Sequence, residues 1–147
     1  MRIFRILVAT LLLFNVSTIS AWASDEAHKL VLQISDNNPQ KMNTVLNVAA
    51  NVARHYGAMG EEIDIKIVAF NQGLHMLRPD TSPVKDRIRS FGKSMTNVEF
   101  QACNNTRTAM QKKSGKDVPL FDFAEVVPAG VVSIMELDRS GYTVVRP

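Results

Sequence analysis

The 147-residue chain has one cysteine, Cys103, and the residues on either side of it define a possible chemistry. Val98-Glu99-Phe100-Gln101-Ala102 reads as a strand, and Cys103-Asn104-Asn105-Thr106 begins a helix running to about Lys112. A thiol at that junction faces backbone N–H groups and the positive end of a helix, which favours thiolate, the nucleophilic form of cysteine. Asn104 or Asn105 can cap the helix, and the other side-chain amide can donate to a charged sulfur or a bound anion. A lone cysteine forms no intramolecular disulfide. It is either a reactive thiol or a small buried hydrophobe, and position alone leaves both readings open.

Three other segments stand where strands end: Ser35-Asp36, Asn71-Gln72-Gly73 and Pro128-Ala129-Gly130. None supplies a nucleophile. The Asn71–Gly73 segment is either a plain tight turn or an anion site made of backbone N–H groups. His28, His55 and His75 are scattered, with no spacing that suits a metal. A pairing of His75 with Cys103 requires the second and third strands to be neighbours, which sequence does not place. Glu61, Glu62 and Asp64 read as a solvated turn, and the seven methionines as core filler.

The elements that position these residues alternate along the chain. Leu30–Ile34 is the first strand. Asp36-Asn37-Asn38-Pro39 opens a long helix with Met42, Val45, Leu46, Ala49, Val52, Ala53 and Tyr56 on its core face and Gly57 at its left-handed cap. Ile63–Phe70 is the second strand, followed by a short helix over Leu74–Leu77. A further helix opens at Thr81-Ser82-Pro83, with Val84, Ile88 and Phe91 inward. After the strand and helix around Cys103, Lys113–Pro119 reads as a polar loop and Phe123–Val127 as a fourth strand. A last helix has Val131, Ile134 and Met135 as its buried stripe and ends at Gly141, before a strand over Tyr142–Val145. Alternating strands and helices predict a single α/β domain, with a mostly parallel, about five-stranded sheet between helices on both faces. In such folds ligands gather beyond the carboxyl ends of the strands.

Arg2 and Arg5, the apolar run Ile6–Phe14 and Ala21-Trp22-Ala23 have the form of a cleavable export signal over residues 1–23, leaving 24–147 as the mature domain. The apolar run is too short for a membrane anchor, so no stable span is expected after processing and the location is periplasmic or secreted. Without the two leader arginines, 15 Lys and Arg stand against 14 Asp and Glu, so the net charge falls from +3 to +1. The basic residues form no stripe, so nucleic-acid binding has no support in the sequence.

Ser35-Asp36-Asn37 after the first strand, Val68-Ala69-Phe70-Asn71-Gln72-Gly73 with Leu74 and Leu77, the run Val98–Thr106, Val126-Val127-Pro128-Ala129-Gly130-Val131, Gly141-Tyr142 and Arg146-Pro147 follow one another at set spacing. Together they resemble the DsrE/DsrF-like sulfur-relay family, in particular an exported branch, over nearly the whole mature chain. The resemblance implies a compact α/β domain, assembly into homo-oligomers, and a persulfide-carrying cysteine at the position of Cys103. It implies no metal and no organic cofactor. Asn104, Asn105 and Thr106 would orient or solvate the sulfur anion, with Asn71 to Gly73 as the opposite wall. The chain departs from the cytoplasmic members in being exported and in lacking a second cysteine, so a partner protein or small thiol must give or take the sulfur. Three functions follow as alternatives: a sulfur carrier or sulfurtransferase using Cys103, a non-catalytic oligomeric module binding a small anion or partner with a structural cysteine, and a subunit with a role only in assembly.

Overall fold

Alternation along the central strands sorts their side chains onto two unlike faces. In the computed structural model, which describes residues 26–147, β1 is His28–Ile34, β2 is Ile63–Ala69 and β3 is Val98–Cys103. Leu30, Leu32, Ile34, Ile63, Ile65, Ile67, Ala69, Val98, Phe100 and Ala102 point to one side and form the main core. Asp64, Lys66, Glu99 and Gln101 occupy the alternate positions, so the other side is largely polar. Helix α1 (Pro39–Met59) lays Met42, Val45, Leu46 and Ala49 on the apolar side, and α2 (Lys85–Ser94) adds Ile88 and Phe91. Full burial of a side chain such as Met42, Val45, Leu46 or Ile88 contributes roughly 1.5–3 kcal/mol.

Beyond β3 come α3 (Asn104–Ser114), β4 (Ala124–Val127), α4 (Gly130–Arg139) and β5 (Thr143–Val145). The strand order is β4-β3-β2-β1-β5 and every pairing is parallel. The chain steps outward from β1 to β4, then returns across the sheet to add β5 on the far side of β1. With right-handed crossovers, that reversal places α4 alone on the polar face. There Ile134 packs with Val31, Val68 and Tyr142, backed by Phe70 and Leu137. The single α/β domain with helices on both faces is as the sequence predicts, although the two faces are covered unequally.

Several boundaries differ from the sequence reading. Helix α1 runs through Gly57 and is capped by Gly60, whose φ of 73° is the left-handed conformation expected at that position. A 3₁₀ turn begins at Asn71 itself and extends to Leu77, while α3 continues to Ser114 before Gly115 at φ 67°. The segment after it is not wholly polar, because Val118 and Phe121 are buried in the main core. The expected α4 stripe is reduced to Ile134, with Val131 53% and Met135 50% exposed. The apolar strip on the sheet beneath α4, Val31 and Val68, is met by Ile134 and in part by Leu137. The predicted leader and its cleavage point lie outside the described residues. Among the described residues no helix is long and apolar enough to cross a membrane.

Candidate functional site

Strand order determines where the site lies. β3 leads into α3, which packs on the main-core side through Met110, whereas its neighbour β4 leads into α4 on the opposite side. Connections diverge between β3 and β4, and the crevice of an open parallel sheet forms at such a switch point. Cys103 ends β3 there, in register with Val127 of β4.

Two helix N-termini converge on that cysteine. Cys103 occupies the N-cap position of α3 (φ −66°, ψ 114°), so Asn104 and Asn105 are the first helical residues, exposed, and do not serve as caps. Gly130 begins α4, and a Cβ on it would lie 3.3 Å from Cys103 Cβ and 3.1 Å from Phe70 Cβ. Absence of that Cβ lets the start of α4 approach the thiol. Neither helix has a side-chain cap or an acidic residue in its first turn, so both positive ends remain uncompensated.

Cys103 is only 5% exposed, and burial opposes its ionisation. The Thr106 hydroxyl and the backbone N–H groups of Gly130, Thr106 and Asn105 together outweigh that effect, holding the thiol below its ordinary pKa. A thiolate draws more from these donors than a neutral thiol does, which is why they favour the ionised form. Thr106 is held in place by Asn71, whose backbone N–H donates to Thr106 Oγ1 at 2.9 Å, leaving the hydroxyl proton free for sulfur. Asn71 adopts φ 48°, a left-handed conformation that asparagine tolerates better than most residues. Asn105 N–H also reaches Pro128 O at 3.3 Å, tying the start of α3 to the β4–α4 connection.

The sequence-predicted residues therefore separate into groups. Asn71, Asn105 and Thr106 line a cleft of about 450 Å³ with Gln72, Met110 and Lys113. Asn104 lies exposed beside it. Gly73 does not face this cleft: it is buried against the end of β1 and serves packing. β2 and β3 are neighbours, yet His75 is bonded through Nδ1 to Thr81 Oγ1 at 2.8 Å, and burial, with Arg78 nearby, lowers its pKa. The groups that hold the Cys103 pKa down are the Thr106 hydroxyl and backbone amides, with no imidazole among them. Among the described residues no group of three or more His, Cys, Asp or Glu side chains is arranged to hold a metal. Sequence reasoning missed the role of Gly130, and its only signal was the Pro128-Ala129-Gly130 segment at a strand end.

A polar chain crosses the second face behind the site. Ser133 Oγ donates to Gln101 Oε1 at 2.6 Å, Gln101 donates to Glu99 at 2.8 Å, and Lys66 bridges Glu99 at 2.8 Å and Asp64 at 3.2 Å. The Tyr142 hydroxyl donates to Asp64 at 2.5 Å, and burial, then that carboxylate, pushes its pKa up to about 12. Asp64 thus belongs to a network, not to a solvated turn. Glu125 hydrogen-bonds Glu99 and the two carboxyls repel, which raises the Glu125 pKa. Burial works against Glu99 ionisation, but Glu125, Lys66 and Gln101 together lower its pKa. A raised acid pKa in the folded state means that stability falls as pH rises through it. Glu125→Gln should therefore stabilise the domain at pH 7, by less than about 1 kcal/mol because the group is exposed. At a pH near 3, below the raised pKa of Glu125, that carboxyl is protonated and the gain should vanish; urea denaturation at the two pH values measures the difference.

The molecule is thus an all-parallel, single-domain α/β protein whose one cysteine lies at its switch point with its pKa held below the ordinary value. No family model matches the chain, and no curated protein matches it. Among solved structures it is similar to a protein of unknown function, MTH1491 from Methanobacterium thermoautotrophicum, with 26% identity, a TM-score of 0.70, and coverage of 82% of this chain and 99% of that one.

Proposed function

We propose that the chain is a periplasmic sulfur carrier or sulfurtransferase-like protein that holds persulfide sulfur on Cys103, as in the DsrE-like proteins that its sequence resembles. One observation carries the reading: two uncapped helix N-termini and the Thr106 hydroxyl converge on the lone thiol and favour its anion. The thiolate attacks the outer sulfur of a donor persulfide. A new S–S bond forms on Cys103, the donor S–S bond breaks, and the donor leaves as thiolate, with no net oxidation. A second thiolate then takes the outer sulfur by the same exchange and returns Cys103 to its starting state. With no second cysteine in the chain, both donor and acceptor are other molecules. Asn105 and Thr106 solvate the sulfur anion, and exposed Asn104 meets the incoming partner. Exposed Val132 and Val144 on the thinly covered second face support assembly into a homo-oligomer, since parallel sheets are normally buried on both sides.

Intact mass spectrometry after incubation with polysulfide tests the reading. Wild type should gain about 32 Da per sulfur, reversed by a dithiol, and Cys103→Ser should gain nothing. A wild-type cysteine that stays unmodified, and resists alkylation until the protein is denatured, would overturn it. The 5% exposure of Cys103 would then favour the alternative, a binding module with a structural cysteine.

A further inference from the structure

A second cleft flanks Asn71 on the α4 side. It has a volume of about 340 Å³, with Phe70, Val131, Ile134 and Met135 as its apolar lining and Ser35 and Arg146 among its polar lining. Arg146 forms no ion pair among the described residues, where every other feature of the cleft is neutral. The volume is at the small end of ligand sites, enough for a short molecule. An apolar wall beside a guanidinium suits a short aliphatic chain ending in a carboxylate, whose two oxygens match the paired N–H groups of arginine. The wall of the cleft comes near the cysteine, because the point where a Cβ on Gly130 would stand is 3.1 Å from Phe70 Cβ and 3.3 Å from Cys103 Cβ.

We propose that this cleft binds small carboxylate-bearing thiols and that such a thiol is the sulfur acceptor of Cys103, the second half resting on the sulfur-carrier reading above. The acceptor carboxylate meets Arg146 and its methylenes lie on Phe70, Ile134 and Met135. Its thiolate attacks the outer sulfur of the Cys103 persulfide. The acceptor S–S bond forms as the Cys103 S–S bond breaks, Cys103 leaves as thiolate, and the acceptor proton is released to water.

Binding is tested first without sulfur chemistry, by titrating butyrate and butylamine into the mature protein while following the Met135 and Val131 methyl resonances. Butyrate should give a saturable shift and butylamine none, with affinity for butyrate falling about tenfold in Arg146→Gln. No saturable butyrate shift, an equal response to butylamine, or unchanged affinity in the variant would overturn the binding site. Transfer is tested next on protein already shown by mass to bear persulfide, comparing rates to 3-mercaptopropionate and cysteamine. The ratio of the two rates should fall about tenfold in Arg146→Gln, a comparison in which the intrinsic reactivities of the thiols cancel. An unchanged ratio would overturn the acceptor assignment. Failure of the protein to take up sulfur at all would instead refute the carrier reading and the acceptor assignment resting on it, while the butyrate titration still decides the cleft.

Discussion

Gly73→Ala is expected to destabilise the domain by about 3 kcal/mol or more, a large share of the roughly 5–15 kcal/mol that holds a domain folded. An added Cβ would lie 2.2 Å from the Ile34 carbonyl oxygen, 2.5 Å from its carbon and 2.8 Å from Ser35 N. All three are backbone atoms at the end of β1, so no rotamer change relieves the overlap. The same carbonyl accepts the Phe70 N–H at 3.1 Å, so displacing it also breaks the bond that sets the 3₁₀ turn against the sheet. The turn carries Asn71, whose N–H orients Thr106. Whatever fraction stays folded should therefore alkylate more slowly at Cys103. Urea denaturation provides the measurement, with Gly57→Ala as a control: that helical position has nothing within 4 Å of an added Cβ, and alanine there should add up to about 1 kcal/mol. A Gly73→Ala loss below about 1 kcal/mol would show that the end of β1 yields more easily than close-packed backbone should.

The second large effect is on reactivity. Thr106→Val keeps the side-chain shape but removes the hydroxyl that acts on Cys103 and the oxygen that accepts from Asn71 N–H. The Cys103 pKa should rise, so iodoacetamide alkylation near neutral pH should slow by roughly threefold to tenfold, the equivalent of one lost hydrogen bond. The pH–rate profile should move upward with its plateau little changed, because thiolate population falls while access is retained. Thr106→Ser should restore most of the rate. Stability should change by only about 1 kcal/mol, since Asn71 is exposed and water can replace the lost acceptor. A profile that stays in place would assign the low pKa to the two helix ends alone.

Much of this architecture was legible in local pattern. Alternation in Ile63–Ala69 and the apolar spacing of Met42, Val45, Leu46 and Ala49 reflect which side chains must leave water, and a strand or helix satisfies each period in only one way. The junction at Cys103 was legible for the same reason, since a β-branched and apolar run gives way to polar residues suited to a helix start. Gly73 was visible as a turn residue, but its reason was not. Its partner is Ile34, 39 positions earlier in the sequence, and close approach of two backbones leaves no periodic trace. The α4 stripe misled because Val131, Ile134 and Met135 have helical spacing whatever width of apolar sheet lies beneath them.

By itself the sequence determined the element order, the α/β class and the placement of the one cysteine at a strand end. Those properties depend on neighbours within a few residues. Tertiary structure decided that β5 returns beside β1, that α4 alone crosses to the polar face, and that Gly130 brings a second helix end to the sulfur. Strand order is chosen by the burial of whole faces and by crossover handedness, so the field at Cys103 arises from segments that become neighbours only when the sheet is assembled.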